Sequence, residues 1–487
     1  MKNGFKLTLT ALLLGAAVTH VGAQSKNSPA SIDELFGTAP AVPTPKPSPP
    51  VKPAPVVKSV DSKDALFGDT EALAPPPQAA ANWNGFFQTE LAYTYPSPAH
   101  TSKFLNKLEL AAQGKFNPQV RWKLSGRASY NAVFDLNDFY PPAVRQDQRF
   151  EVLPLENYLD VSAGDFDFRL GRQHIIWGEV VGLFFADVVS AKDAREFYLP
   201  EFDQVRIPQW AARAEYFKND FHAEVIWIPV MTYDKIGKPG AEFYPYPPPL
   251  PDGLAYTIEN EQRPARKLEN SAYGARLSYL KNGWDGSVFY YHSLDTAPTF
   301  SRTAVEPLGF VRPGPPVFEY RPIHTKIKQW GATLSKDLGG TIFRTEAVYT
   351  RDRQFNVARL SEPDGLVPLD TLDYIVGVDL PAPTDTRLNV QFFDRWFLDS
   401  DPDMYNKRHE SGMSFYASRE LRQNLKAEIL MAHSLSRSDW LVRPKLAWRF
   451  APNWRATLGA DIFGGNAGFF GRFNNKDRVY TELRYDF

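Results

Sequence analysis

Arg478-Val479-Tyr480-Thr481-Glu482-Leu483-Arg484-Tyr485-Asp486-Phe487 ends the chain with two interleaved sets of side chains. Successive residues of an extended strand point to opposite faces. Val479, Thr481, Leu483, Tyr485 and Phe487 therefore share one face, and Arg478, Tyr480, Glu482, Arg484 and Asp486 share the other. The same period of two recurs upstream. Trp454, Ala456, Leu458, Ala460 and Ile462 interleave with Arg455, Thr457 and Asp461, and Val120, Trp122 and Leu124 interleave with Arg121, Lys123 and Ser125. A soluble sandwich would turn the charged face to solvent. A membrane barrel turns the apolar face to lipid and lines its lumen with the charged one.

Connection lengths favour the barrel. Tight turns are expected near Asn117-Pro118, Asp165, Lys218-Asn219-Asp220, Lys281-Asn282-Gly283, Leu338-Gly339-Gly340, Pro381-Ala382-Pro383, Gln423-Asn424 and Pro452-Asn453. Longer loops lie between them, the longest near 180–208, 231–270 and 296–324. Short turns on one rim and long extracellular loops on the other are the habit of transmembrane antiparallel β-barrels. The reading gives about 18 strands (range about 16–18), an even number that leaves both termini in the periplasm. The outward Leu483, Tyr485 and terminal Phe487 resemble the insertion signal by which the barrel-assembly machinery receives Gram-negative outer-membrane proteins.

Composition agrees once alternation is allowed for. The 487 residues include 11 Trp, 22 Tyr and 35 Phe, yet the mean hydropathy is only -0.37. Averaging a lipid-facing and a lumen-facing half hides the apolar surface. No internal run reaches the ~18 apolar residues of a membrane helix. Lys and Arg (55) nearly balance Asp and Glu (56), so no basic surface offers itself to nucleic acid. With no cysteine there is no disulfide, thiolate metal site or thiol nucleophile.

Ahead of the barrel, expected over 83–487, lie two other segments. Residues 1–23 read as a signal peptide: Lys2 and Lys6, an apolar stretch from Leu7 to Val18, and Val21-Gly22-Ala23 before the cut. Residues 24–82 read as a disordered Pro-rich periplasmic tether, with proline at eight of the sixteen positions from Pro40 to Pro55. Such a stretch favours stiff polyproline II. Two Leu-Phe-Gly motifs interrupt it, and Leu35, Phe36, Leu66 and Phe67 are candidate docking residues for a periplasmic carrier or inner-membrane partner.

Inside the barrel, Arg443, Lys445, Arg449 and Arg455 form a candidate electropositive wall able to guide an anionic head group. The stretch Arg169-Leu170-Gly171-Arg172-Gln173-His174-Ile175-Ile176-Trp177-Gly178-Glu179 departs from simple alternation at Arg172, which suggests a bulge, an inward wedge or a strand end bent into the lumen. It leads into a loop holding Phe184 and Phe185, too apolar to hang in water. Arg169, Arg172, Gln173, Trp177, Glu179, Phe184 and Phe185 are thus candidate lumen or constriction residues. The alternative is packing of that loop on the barrel rim or on lipopolysaccharide.

The run Arg169–Glu179 with Asp187-Val188-Val189 resembles a widespread proteobacterial outer-membrane barrel family of poorly characterised function. Members are often encoded beside inner-membrane exporters of the resistance-nodulation-division superfamily. The resemblance implies movement of hydrophobic or amphipathic, lipid-like molecules, broadly as in long-chain fatty acid transporters. The Gly-Arg-Gln element also resembles alginate-export and porin-type barrels.

Other chemistry finds little footing. His292-Ser293 and His433-Ser434 are adjacent pairs whose side chains diverge in a strand, so no catalytic residue is assigned. No cofactor is expected. Asp399, Asp401 and Asp403 begin like a calcium loop, but the glycine and closing glutamate are missing. The expectation is an outer-membrane channel in contact with lipid and lipopolysaccharide; a general or polysaccharide-export porin and an envelope tether with a passive barrel are the alternatives.

Overall fold

The computed structural model describes residues 81–180, 186–245, 254–305, 317–383 and 385–487. The signal segment, the tether up to residue 80 with Leu35, Phe36, Leu66 and Phe67, and the pair Phe184 and Phe185 lie outside the described residues. Eighteen strands form one closed antiparallel sheet. They are β1 (Asn82–Thr94), β2 (His100–Asn117), β3 (Val120–Asn131), β4 (Phe150–Ala163), β5 (Phe166–Gln173) and β6 (Gln209–Lys218). Then come β7 (Phe221–Val230), β8 (Ala272–Lys281), β9 (Trp284–Leu294), β10 (Lys326–Asp337), β11 (Ile342–Asn356) and β12 (Leu366–Leu380). The last are β13 (Thr386–Phe397), β14 (His409–Arg422), β15 (Leu425–Ser434), β16 (Trp440–Ala451), β17 (Trp454–Gly464) and β18 (Arg478–Asp486).

Each strand pairs with its neighbours in sequence, and β18 closes the sheet against β1, from Phe86 opposite Asp486 to Thr94 opposite Arg478. The seam ends where Gly85 and Phe487 exchange two backbone hydrogen bonds of 2.9 Å. A Cβ on Gly85 would lie 2.4 Å from the Glu109 carbonyl and 3.0 Å from the Phe487 ring, so glycine is what lets the terminal aromatic lie there. All eight expected tight turns are present on one rim. Asn219 and Asn282 take the left-handed φ values (51° and 52°) that short polar side chains tolerate.

Alternation sorts the two faces. Leu91, Leu108, Leu170, Val225, Leu277, Val288, Leu458 and Leu483 are exposed on the outside, forming the apolar belt of a membrane barrel. Aromatic residues mark the short-turn rim: Trp454 packs on Tyr485 at 4.8 Å, and Phe166 on Tyr216 at 4.8 Å. Such rings suit the membrane–water boundary. Among the described residues no helix is long and apolar enough to cross a membrane.

At the opposite rim the long connections pack on one another. Val133, Phe134, Tyr140 and Val144 from the β3–β4 connection bury with Ala241 and Tyr244 and with Phe300, Phe318 and Tyr320. The last three sit on a small sheet, Thr299–Val305 antiparallel to Val317–Ile323, with Ala255–Ile258 added in parallel. The longest effect on the lumen comes from the β5–β6 connection.

Candidate functional site: a segment bridging the lumen

The entry of this segment is set by the end of β5. Gly171 has φ +132°, and a Cβ there would fall 2.3 Å from the Asn157 carbonyl oxygen and 2.8 Å from Tyr158 Cα. Only glycine fits so close an approach of two backbones. Gln173 is fully buried, and its Nε2 donates to the carbonyls of Ala211 (3.0 Å) and Arg169 (3.2 Å). Past Gln173 the chain leaves the sheet and turns into the lumen.

Its first part packs on the inner faces of β6–β11. Ile175 and Trp177 bury against Ala211, Ile226, Ile228, Ala272, Phe289, Tyr291 and Val348. The Trp177 ring lies 5.1 Å from Phe289 and occupies the space that a Cβ on Gly274 would need, 2.7 Å away. Burying one large apolar side chain contributes about 1.5–3 kcal/mol, so this pair alone holds the entry firmly. Next, the buried Glu346 of β11 gathers three backbone N–H groups: Glu179 and Val180 donate to Oε1, the latter at 2.6 Å, and Ala186 donates to Oε2 at 3.1 Å. The Glu179 carboxylate accepts from Arg276 (3.3 Å) and from the Thr333 hydroxyl (3.1 Å).

Half a circuit away in the strand order, the later part of the segment meets the other wall. Asp187 pairs with Arg206 at 2.7 Å, bracing the turn. Glu196 then pairs with Lys103 of β2 and Arg478 of β18, each at 2.8 Å. Arg443 Nη2 donates to the Leu199 carbonyl at 2.6 Å, Lys107 donates to Gln204 Oε1 at 2.6 Å, and Lys445 stands 3.6 Å from Glu201. Phe197 and Leu199 bury with Leu441, Phe463, Phe470 and Phe473. The described parts of this connection, 174–180 and 186–208, thus touch opposite walls.

Burial pushes the Glu196 carboxyl up, but Lys103 and Arg478 beside it prevail and bring it down to about 2. A carboxylate depressed in the folded state adds stability above its ordinary pKa and loses it as pH falls through the folded value. This contact should therefore persist from neutral pH to about pH 3. The expected result in planar bilayers is a conductance steady over that range that changes near pH 2, with Glu196→Gln showing the acid behaviour already at pH 7. A wild-type transition near pH 4.5 would contradict it.

The expected lumen residues divide. Arg169 faces inward, tied to Asp160 at 2.6 Å and lying over the Tyr158 ring at 4.2 Å. Arg172 corrects the reading: it stands in register with Asn157 and with outward-facing Trp210, so strand alternation puts it on the outer face, and it is buried there. Gln173 and Trp177 are packing and anchoring groups, while Glu179 docks the segment. The electropositive wall is half neutralised. Arg443 and Arg478 share the fully buried Asp461 at 2.7 and 2.8 Å, and Lys445 pairs with Glu428 at 2.9 Å. Arg449 and Arg455 make no ion pair within 4 Å among the described residues, although, against the effect of burial, Arg455 lies near enough to Glu201 to help Lys445 hold that carboxyl down. They flank the 452–453 turn, so this positive charge sits towards the short-turn mouth. Asp401 and Asp403 are gathered by Arg359 at 2.6 and 3.4 Å, and the same guanidinium holds Glu362 at 3.1 Å. Nothing local in the sequence marks Glu346 or Glu196 as docking groups, because their partners lie far away in the chain.

An eighteen-stranded antiparallel barrel with its third long connection folded across the lumen is a porin-like outer-membrane channel fold. The chain belongs to a family described as protein of unknown function (DUF1302), whose model matches residues 7–487 and so takes in the Pro-rich stretch as well as the barrel. Solved structures show the fold at low identity. Acinetobacter baumannii OccAB4 is similar at 8% identity and a TM-score of 0.50, over 85% of this chain and 100% of its own. Acinetobacter baumannii OccAB1 is similar at 9% identity and a TM-score of 0.50, over 83% of this chain and 95% of its own. The outer membrane protein opdK of Pseudomonas aeruginosa matches at 8% identity and a TM-score of 0.47, over 83% and 99%. No curated protein matches the chain in sequence.

Proposed function

We propose that the protein is a selective outer-membrane channel in which the described parts of the β5–β6 connection, 174–180 and 186–208, set the constriction, and that it passes small amphipathic molecules carrying an anionic head. The observation that carries this reading is the docking of that segment on both walls, by Glu346 on one side and by Lys103, Arg478 and Arg443 on the other. A segment docked on both walls narrows the path and fixes the side chains that a passing solute meets. The apolar clusters flanking the crossing segment support an apolar tail, and Arg449 and Arg455 at the short-turn mouth support an anionic head. In this reading the short-turn rim is periplasmic, and the Pro-rich stretch holds a periplasmic or inner-membrane partner, such as a resistance-nodulation-division exporter, at high effective concentration.

The test uses purified full-length protein in planar bilayers and in liposomes. The expected results are a small, discrete conductance and uptake of a fluorescent medium-chain carboxylate faster than that of a neutral sugar of similar size. Conductance should survive removal of residues 24–80, which ends short of β1. Equal uptake of both solutes would make the protein a general porin. Absence of both conductance and uptake would make the barrel an anchor.

A further inference from the structure

A second cluster lies on the lumenal wall of β6 and β7, apart from the bridging segment. The antiparallel register sets Glu215 directly opposite Glu224, and His222 stands two residues before Glu224 on the same inward face. One ligand atom from each lies within 4.8 Å of the other two. Like charges directly opposite each other in a sheet destabilise it, so this pair needs a cation.

The neighbours supply only part of that need. Glu215 Oε2 takes Arg213 at 2.7 Å, and its Oε1 lies 3.1 Å from His222 Nε2. Glu224 is 4% exposed, and its Oε1 is buried with no hydrogen-bond donor. A buried carboxylate oxygen with nothing to accept is costly. Arg276, across from Glu224 on β8, is turned to other partners: its Nε donates to Ser287 Oγ at 3.1 Å and its Nη2 to Glu179 at 3.3 Å. The His222 ring is fixed by stacking on Phe217, with centroids 4.5 Å apart and planes within 6°. Its side chain keeps 17% of its exposure, so one side of the cluster opens to the lumen.

We propose that Glu215, His222 and Glu224 bind a divalent transition-metal cation of the zinc class on the channel wall. One imidazole nitrogen and two carboxylate oxygens suit Zn²⁺, and three protein ligands leave a fourth position for water or a passing solute. Calcium, which takes six to eight oxygen ligands, is poorly served. Arg213, bonded to the outer oxygen of Glu215, orients that carboxylate without occupying Oε1. The site does not depend on which solute the channel passes.

The experiment titrates chelator-stripped, full-length protein in detergent with Zn²⁺ by calorimetry, with heat-modifiable gel migration reporting that the barrel is folded. The expected result is one Zn²⁺ per chain, weakened about tenfold or more by His222→Gln and by Glu224→Gln, and undisturbed by excess Ca²⁺. Both substitutions preserve side-chain bulk, and a folded Glu215→Gln variant provides a third reading. Absence of saturable binding, equal binding by folded variants, or displacement by Ca²⁺ would each overturn the proposal.

Discussion

Replacing Glu346 with alanine should raise single-channel conductance several-fold while the barrel stays folded. The carboxylate sits on the inner face of β11 and accepts from the backbone of Glu179, Val180 and Ala186, which come from a segment more than 150 residues away in the chain. A buried donor left without an acceptor costs about 1–3 kcal/mol. With three donors orphaned at once, the segment does better to lift from the wall and find water. The loss is local because Ile175 and Trp177 remain packed and the strands of β11 keep their own ladder. Glu346→Gln keeps one acceptor oxygen and should lie between wild type and alanine. Planar-bilayer recordings of the three proteins decide the matter. Three identical conductances would mean that the segment holds its place without Glu346, and the constriction would have to be sought elsewhere.

The barrel was legible because its signals are local. Period-two alternation marks each strand, and residues such as Asn219, Asn282 and Pro452 mark turns only a few positions long, so strand number and inward face both follow from the sequence. The bridging segment was legible only at its start, where Gly171 and Arg172 interrupt the pattern of β5. Its destination depends on contacts between distant parts of the chain: Glu196 with Lys103 and Arg478, Glu346 with three backbone amides. Sequence shows that these charges face inward but not which partners they meet. Arg443 illustrates the same limit. It reads as a free wall cation until the β16–β17 register, with its irregularity between Trp448 and Ala451, brings Asp461 alongside. The Glu215–Glu224 pairing is different, since the two-residue turn at 219–220 fixes it by counting outward from the turn.

That division between paired and free cations predicts the second large effect. Arg449→Glu with Arg455→Glu should move the channel from anion towards cation preference, read as a reversal potential of changed sign in a KCl gradient. Both residues are inward positions beside the 452–453 turn, and neither forms an ion pair within 4 Å among the described residues, with Arg455 acting on Glu201 only at longer range. Arg484, in register with Arg455, does not substitute for them: Asp486 holds it at 2.7 Å and it lies 3.7 Å over the Phe86 ring. Two reversals change the mouth by four charges, and the charges act within about 10 Å of a passing ion at 0.1 M salt, inside the Debye length. Arg443→Glu should behave differently. It sets a like charge beside the fully buried Asp461, and breaking a buried pair costs about 3–5 kcal/mol. It also removes the donor to the Leu199 carbonyl, so its signature should be lowered thermal stability and a loosened segment rather than a clean change of selectivity. If Arg449→Glu/Arg455→Glu left the reversal potential where it was, the short-turn mouth would not select by charge, and the anionic head would lose its place in the proposed substrate.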